Sequence, residues 1–403
     1  MPPPFYRLSF LALTSLWLAA CVESAPTLTP TTVVTLSPTE TTMLTATPAP
    51  TPTVAPTSTP QPTATLTPTS VPISLAARIA FVSERDSNRE IYLLNTDGSL
   101  VNLTNHPAED SEPTWSPDGS RIAFTSNRDG ATDIYVMNLD GSGLTNLTNH
   151  PAFDSNPIWS PAGTQIAFLS DRDDDNDNGL ADFDIFVINP DGSGLTNLTN
   201  RPVFPRRFAW SPNSRWLVFW ERGEDHHNSE LYRIDVSSLN LVQLTNDSSH
   251  TPHLAWSPDG SRIAFSYGTE GPSEIHVMNP DGSARVMLTH HSEDEFVSDY
   301  FSAWSPDGTR IAFTSDREGY EAIYIMDDDG SNIIRLTDNL TGGCYSARWS
   351  PDGAQIALAC GDYYHQQEIY LVNVNDALQE ADDLEPINLT NHPADDSSPV
   401  WQP

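Results

Sequence analysis

Positive charge is scarce in this chain. Its 403 residues carry 54 Asp and Glu against 19 Lys and Arg, a formal charge of −35. A surface so acidic repels phosphate backbones, which excludes nucleic acid as the partner. It suits solubility, cations and basic partners. Catalytic motifs are missing too: the sequence has no Gly-x-Ser-x-Gly elbow, no glycine-rich phosphate loop and no His-Glu-x-x-His pair. Paired acids occur everywhere, so none can be singled out as a catalytic dyad. Cysteine is limited to Cys21, Cys344 and Cys360. The apolar amino-terminal stretch LSFLALTSLWLAA is too short to span a bilayer comfortably.

That stretch reads instead as a targeting segment over residues 1–20. Arg7 is the only charge in it, and it ends in Leu18-Ala19-Ala20-Cys21. This ending resembles the bacterial lipobox, which implies lipidation of Cys21 and a membrane anchor. An ordinary signal peptide with a chance cysteine is the alternative. Val22 follows, not Asp, and by analogy with lipoprotein sorting this allows passage to an outer membrane. Residues 21–73 are almost entirely Thr, Pro, Ala, Ser and Val and cannot bury a core. Proline this dense favours extended polyproline II at roughly 3.1 Å per residue, a disordered tether reaching on the order of 150 Å.

From residue 74 onward, four landmarks recur in order, seven times each. A strand ends in Trp before Ser-Pro-Asp-Gly or a variant, at Trp115, Trp159, Trp210, Trp256, Trp304, Trp349 and Trp401. An Ile-Ala-Phe strand, an Ile-Tyr-Val-like strand and a Leu-Thr strand follow, as in Ile122, Ile134 and Leu147. Strands of four to six residues separated by Asp-Gly turns read as antiparallel β. Consecutive apolar positions, as in Ile134-Tyr135-Val136-Met137, indicate strands covered on both faces. Four strands in roughly 45 residues are a propeller blade. The first blade lacks its Trp strand and the carboxyl-terminal SSPVW is a spare one, so pairing them closes seven four-stranded blades and removes the open edge. The expected fold class is all-β.

Residues 78–401 resemble the TolB-type, WD40-like propeller repeat in their WSPDG-x-x-IAF and DIYVMN-x-DGS phrases. The resemblance implies an extracytoplasmic binding propeller. TolB itself carries a small α/β domain before six blades. Nothing here resembles that domain, so the Tol–Pal role is not carried over. Nor is there an appended hydrolase domain of the prolyl-oligopeptidase type.

The SPDG turns and the turns after the third strands share one face and hardly vary, so recognition is expected on the other, variable-loop face. There the loop DRDDDNDNGLADFD places Asp174, Asn176, Asn178, Leu180 and Asp182 at the oxygen-ligand spacing of an EF-hand-like loop, without the final Glu. Weak Ca²⁺ binding, with Kd roughly 10⁻⁴ to 10⁻³ M, is the expectation; a solvated acidic loop is the alternative. Non-repeating residues form the candidate ligand-binding set: Arg206, Arg207 and Phe208; Asp299, Tyr300 and Phe301; Tyr363 and Tyr364. The expected ligand is a protein, peptide or glycan, bound without catalysis by a monomer.

Histidines His226, His227, His250, His253, His290, His291 and His365 raise a second reading, a transition-metal-dependent polysaccharide enzyme, with separate surface histidines as the alternative. The oligogalacturonate lyases are a resembling case, although no motif match carries their site over. Three further readings are structural. His106, His150 and His392 belong to the repeat. The recurrent Arg85, Arg128, Arg172 and Arg317 are expected to pair within their blades with residues such as Glu90, Asp133 or Asp184. Cys344, expected opposite Gly361 and so beside Cys360, is read as half of a disulfide worth roughly 3 kcal/mol.

Overall fold

The computed structural model describes residues 74–173, 183–200, 207–222, 229–247, 253–268, 272–291, 296–337, 340, 342–362, 365–379 and 385–403. They form seven four-stranded antiparallel sheets arranged as the blades of a propeller. Each blade begins at an inner strand: Asp110–Trp115, Asp154–Trp159, Phe208–Trp210, Leu254–Trp256, Asp299–Trp304 and Gly343–Trp349 in blades two to seven. Blade one takes its inner strand from the far end of the chain, Asp396–Trp401, which pairs antiparallel with Ile79–Ser83. The ring is therefore closed by hydrogen bonds between its two ends, as the spare Trp strand implies.

The Ile-Ala-Phe phrase explains how blades stack. Neighbouring side chains on a strand point to opposite faces, so Ile and Phe face one neighbouring blade and Ala faces the other. Ala80 packs in one cluster with Ile122 and Phe124 of the next blade, and Ala123 with Ile166 and Phe168 of the one after. The last step joins Ala357 to Ile79 and Phe81. A small residue thus receives two large ones at six of the seven interfaces, with Val218 taking that place against Ile263 and Phe265, and all of these side chains are fully buried.

At the face of the uniform turns, the Asp of each SPDG turn accepts from the Ser two residues before it. The Ser116 hydroxyl donates to Asp118 at 2.6 Å, and Ser257 to Asp259 at the same distance. These bonds hold both carboxyls down at about 2. The turn glycines need φ near +70° and leave room for the preceding blade's proline: a Cβ on Gly163 would lie 3.6 Å from Pro117. At the closure, Gln402 takes the proline's place and donates to the Gly119 carbonyl at 2.8 Å.

The outer strands differ from expectation. They are two or three residues long, as in Thr145–Asn146, and stop before the Leu-Thr pair. The Leu147 N–H still donates to Ile134, but the Thr148 hydroxyl then accepts the Ile134 N–H at 3.0 Å and donates to Asp133. A side chain completes the ladder where the backbone turns away. Asp133 also receives the His150 N–H, and His150 Nδ1 receives that of Ala152. The same pattern recurs at His106 and His392.

This occupation of Asp133 corrects the expected arginine pairing. Arg85, Arg128, Arg172 and Arg317 bind instead the first residue of the inner strand, Asp396, Asp110, Asp154 and Asp299, at 2.8–3.0 Å. The pairs remain within each blade; Glu90 and Asp133 are already committed to Thr and His donors, Asp184 to Thr199, and blade six has Ala322 where the acid would stand.

A second correction concerns register. Cys344 lies directly opposite Cys360, and Gly343 opposite Gly361, because a bulge between Tyr345 and Arg348 inserts one extra residue into the inner strand. Counting back from Trp349 without the bulge misplaces Cys344 by one. A disulfide joins the two cysteines.

Candidate functional site

The bulge that shifts Cys344 recurs in blades one, two, three and seven, where it places Ser398, Glu112, Asn156 and Ser346 at φ between +54° and +58°. All four residues line one cavity of about 1090 Å³ at the propeller axis. The remaining wall comes from the beginnings of the other inner strands: Arg207 and Phe208, His253 and Leu254, Tyr300 and Phe301. Glu321, just before the third strand of blade six, and Gln367, within that of blade seven, also line it. These positions put the cavity at the end of the ring that carries the variable loops.

Of the residues singled out in the sequence, Arg207, Phe208, Tyr300 and Phe301 meet here. Arg207 is exposed to the cavity, whereas Phe208 and Phe301 are nearly wholly buried and supply its apolar wall. Asp299 is fully buried, and its carboxylate is taken by Arg317 and by His291 Nε2 at 2.7 Å. Cys21, Asp174, Asn176, Asn178, Leu180, Asp182, Arg206, Tyr363 and Tyr364 lie outside the described residues, as do His226, His227 and His250. Among the described residues, no three His, Cys, Asp or Glu side chains converge as metal ligands.

Most of the cavity lining lies outside the candidate ligand-binding set, His253 and Arg348 among it. His253 approaches Arg207, with 3.4 Å between Nδ1 and Nη1, and its ring centroid is 5.8 Å from that of Tyr300. Burial, followed by the charges of Arg207 and Arg348, drives its pKa down to about 3. It is therefore neutral at pH 7. Arg348 donates to the Ala347 carbonyl at 3.0 Å, and burial with the nearby Arg207 charge pulls its pKa down to about 10. Burial first, then Asp316, raises that of Glu321. Arg348 had a legible signal: it precedes Trp349, where other blades carry Thr114, Ile158, Ala209, Ala255, Ala303 or Val400.

The same end of the ring carries exposed aromatics that sequence reasoning passed over. Phe296 is 91% exposed and Tyr320 61%, and Phe153 stacks edge-on against Phe183 at 6.0 Å. Both Phe153 and Tyr320 break the repeat, standing where sister blades have Glu109 and Ala131.

The fold is an all-β, seven-bladed propeller with a cavity at its axis. The TolB beta propeller domain family matches residues 74–246 and 176–339, and the chain belongs to that family. Over 64 residues it is 38% identical to the protein TolB homolog of Chlorobaculum tepidum, a segment covering 16% of this chain and 15% of that relative. TolB from Acinetobacter baumannii shares the fold at 17% identity and a TM-score of 0.51, over 78% of this chain and 79% of its own. An oligogalacturonate lyase solved with manganese aligns at 16% identity and a TM-score of 0.56, over 75% and 84% of the two chains. At such identities the structural likenesses establish architecture alone.

Proposed function

We propose that this chain is an exported, lipid-anchored binding propeller that takes a protein, peptide or glycan at its variable-loop face. The observation that carries the reading is the axial cavity of about 1090 Å³, set at the end of the ring where the loops differ from blade to blade. Exposed Phe296 and Tyr320 at the same end support it, because large apolar side chains left in water mark recognition surfaces. In this reading Cys21 holds the lipid, the Thr- and Pro-rich stretch carries the propeller clear of the membrane, and the Asp174–Asp182 loop takes Ca²⁺ as a structural ion.

The test is binding of the purified protein to peptide and glycan arrays, with Tyr300→Ala and Phe296→Ala beside a control substitution in an SPDG turn. Loss confined to the variable-face substitutions supports the reading. Binding that only the SPDG-turn substitution abolishes overturns it. Elemental analysis after exhaustive dialysis belongs to the same experiment. Stoichiometric manganese, zinc or iron, lost on replacing His226, His227 or His290, would redirect the function to metal-dependent chemistry on polysaccharide. Release of the protein from membranes by Cys21→Ser tests the anchor.

A further inference from the structure

We propose that the axial cavity is a carboxylate-binding site in which Arg207 and Arg348 hold the acid. This deepens the binding reading above and rests on it.

The chain contains no lysine, so every cationic side chain apart from histidine is an arginine. Most arginines of the propeller already have an acid. Arg85, Arg128, Arg172 and Arg317 hold the inner-strand aspartates, and Arg215, Arg262, Arg310 and Arg335 hold Asp235, Asp328, Asp327 and Glu318. Arg207 and Arg348 have no acidic partner among the described residues; the hydrogen bonds they make run to His253 Nδ1 and the Ala347 carbonyl. Arg78, Arg121 and Arg233 also make no ion pair among the described residues, and Arg121 and Arg233 lie over Trp159 and Trp216. What sets Arg207 and Arg348 apart is that both line one cavity with no acidic partner among the described residues, in a chain of charge −35.

The neighbouring groups strengthen the point. His253, between these charges, stays neutral and adds no anion or cation. Glu112, on the wall supplied by blade two, already accepts from the Thr125 hydroxyl and the Asn156 N–H. Like charges brought together out of water raise each other's free energy, and an oxyanion placed between them relieves this. Guanidinium donors match carboxylate oxygens in geometry as well as charge. The recurrent Arg85, Arg128, Arg172 and Arg317 use that match, each Nη2 reaching both oxygens of its aspartate. Phe208, Leu254 and Pro399 provide apolar wall for the rest of the ligand, and the volume admits a chain of several residues.

Isothermal titration calorimetry of the purified protein tests this with three probes: N-acetyl-tetra-alanine, its carboxyl-terminal amide, and glutarate. The acid should bind at least about tenfold more tightly than the amide, and Arg348→Gln should weaken the acid by a similar factor. If Arg348→Gln does not fold, Arg207→Gln, a change at a cavity-exposed side chain, gives the same readout. Glutarate binding as well as the peptide acid assigns a small free acid; tighter peptide binding assigns a chain terminus. Equal binding of acid and amide, unaffected by either substitution, overturns the carboxylate site while leaving the binding propeller standing. No heat from any probe also overturns it, and the array experiment then decides the binding reading separately.

Discussion

Arg128 Nη2 donates to both carboxylate oxygens of Asp110 at 2.9 Å each, while its Nε donates to Ser126 at 2.9 Å. Asp110 is fully buried, and the guanidinium lies over the rings of Phe124 and Tyr135 at 5.3 and 5.1 Å. The pair ties the inner strand to the loop after the second strand.

Removing one partner leaves a buried charge uncompensated. Arg128→Ala is therefore expected to cost about 3–5 kcal/mol, read by chemical denaturation. The double change Arg128→Leu with Asp110→Leu should cost less than either single change, since no orphaned charge remains. Equal losses in all three would show that the ion pair is not what matters there.

The Cys344–Cys360 bond closes a loop with a sequence separation of 16. In the chain-entropy picture, Cys344→Ala with Cys360→Ala should lower stability by about 3 kcal/mol. Reductant should shift the denaturation midpoint of the natural protein by a similar amount and leave the double variant unmoved. A variant as stable as the natural protein would assign the cysteines no stabilising role.

Ring closure depends on the last strand. Trp401 is 8% exposed, and its indole N–H donates to the Arg348 carbonyl of the neighbouring blade at 3.0 Å. Ending the chain after Asp395 removes that strand and exposes the edge of Ile79–Ser83. The truncated protein is expected to self-associate or precipitate, visible by size-exclusion chromatography with light scattering. A monodisperse, cooperatively melting product would mean that six complete blades suffice.

His253 makes stability depend on pH. Its folded pKa, about 3, lies below its ordinary 6.5, so in acid the unfolded chain takes up a proton that the folded chain refuses. Its contribution is complete above about pH 6.5 and is lost as the pH falls towards 3, by up to ~1.4 kcal/mol per pH unit. His253→Phe should flatten that part of the stability profile and change nothing above pH 7. Parallel slopes from pH 6 to 4 in both proteins would place the acid sensitivity elsewhere.

Much of the architecture was legible before any coordinates, for a physical reason. A blade cannot bury its own faces, so each repeats the same large–small–large strand and the same turn, and repetition is visible in one sequence. Blade number, strand order and closure by the terminal strand follow from that. Features that repeat but involve a choice of partner were less legible. In blades one to three the recurrent arginines have acids on both sides, and in blade two the Thr148 hydroxyl and His150 N–H that occupy Asp133 show why Asp110 is taken. The bulge at Ser346 recurs in three other blades, but its extra residue is invisible to a count back from Trp349 that assumes an unbroken ladder, and that count misplaces Cys344 by one.

The candidate site divides along the same line. Breaks in the repeat can be read from the sequence, and Arg207, Phe208, Tyr300, Phe153 and Arg348 all stand where a sister blade has something else. Which breaks meet cannot be read that way. Arg207 immediately precedes the inner strand of blade four and Arg348 lies in that of blade seven; they share a cavity because all seven inner strands converge on one axis. Asp299 shows the opposite outcome, a residue between exposed-looking neighbours that the pleat turns inward onto Arg317. The sequence alone determined how many blades are built and how they close, since those are local and periodic demands. Only the tertiary structure decided which irregular side chains face one another, because convergence at an axis is a property of the closed ring and not of any blade.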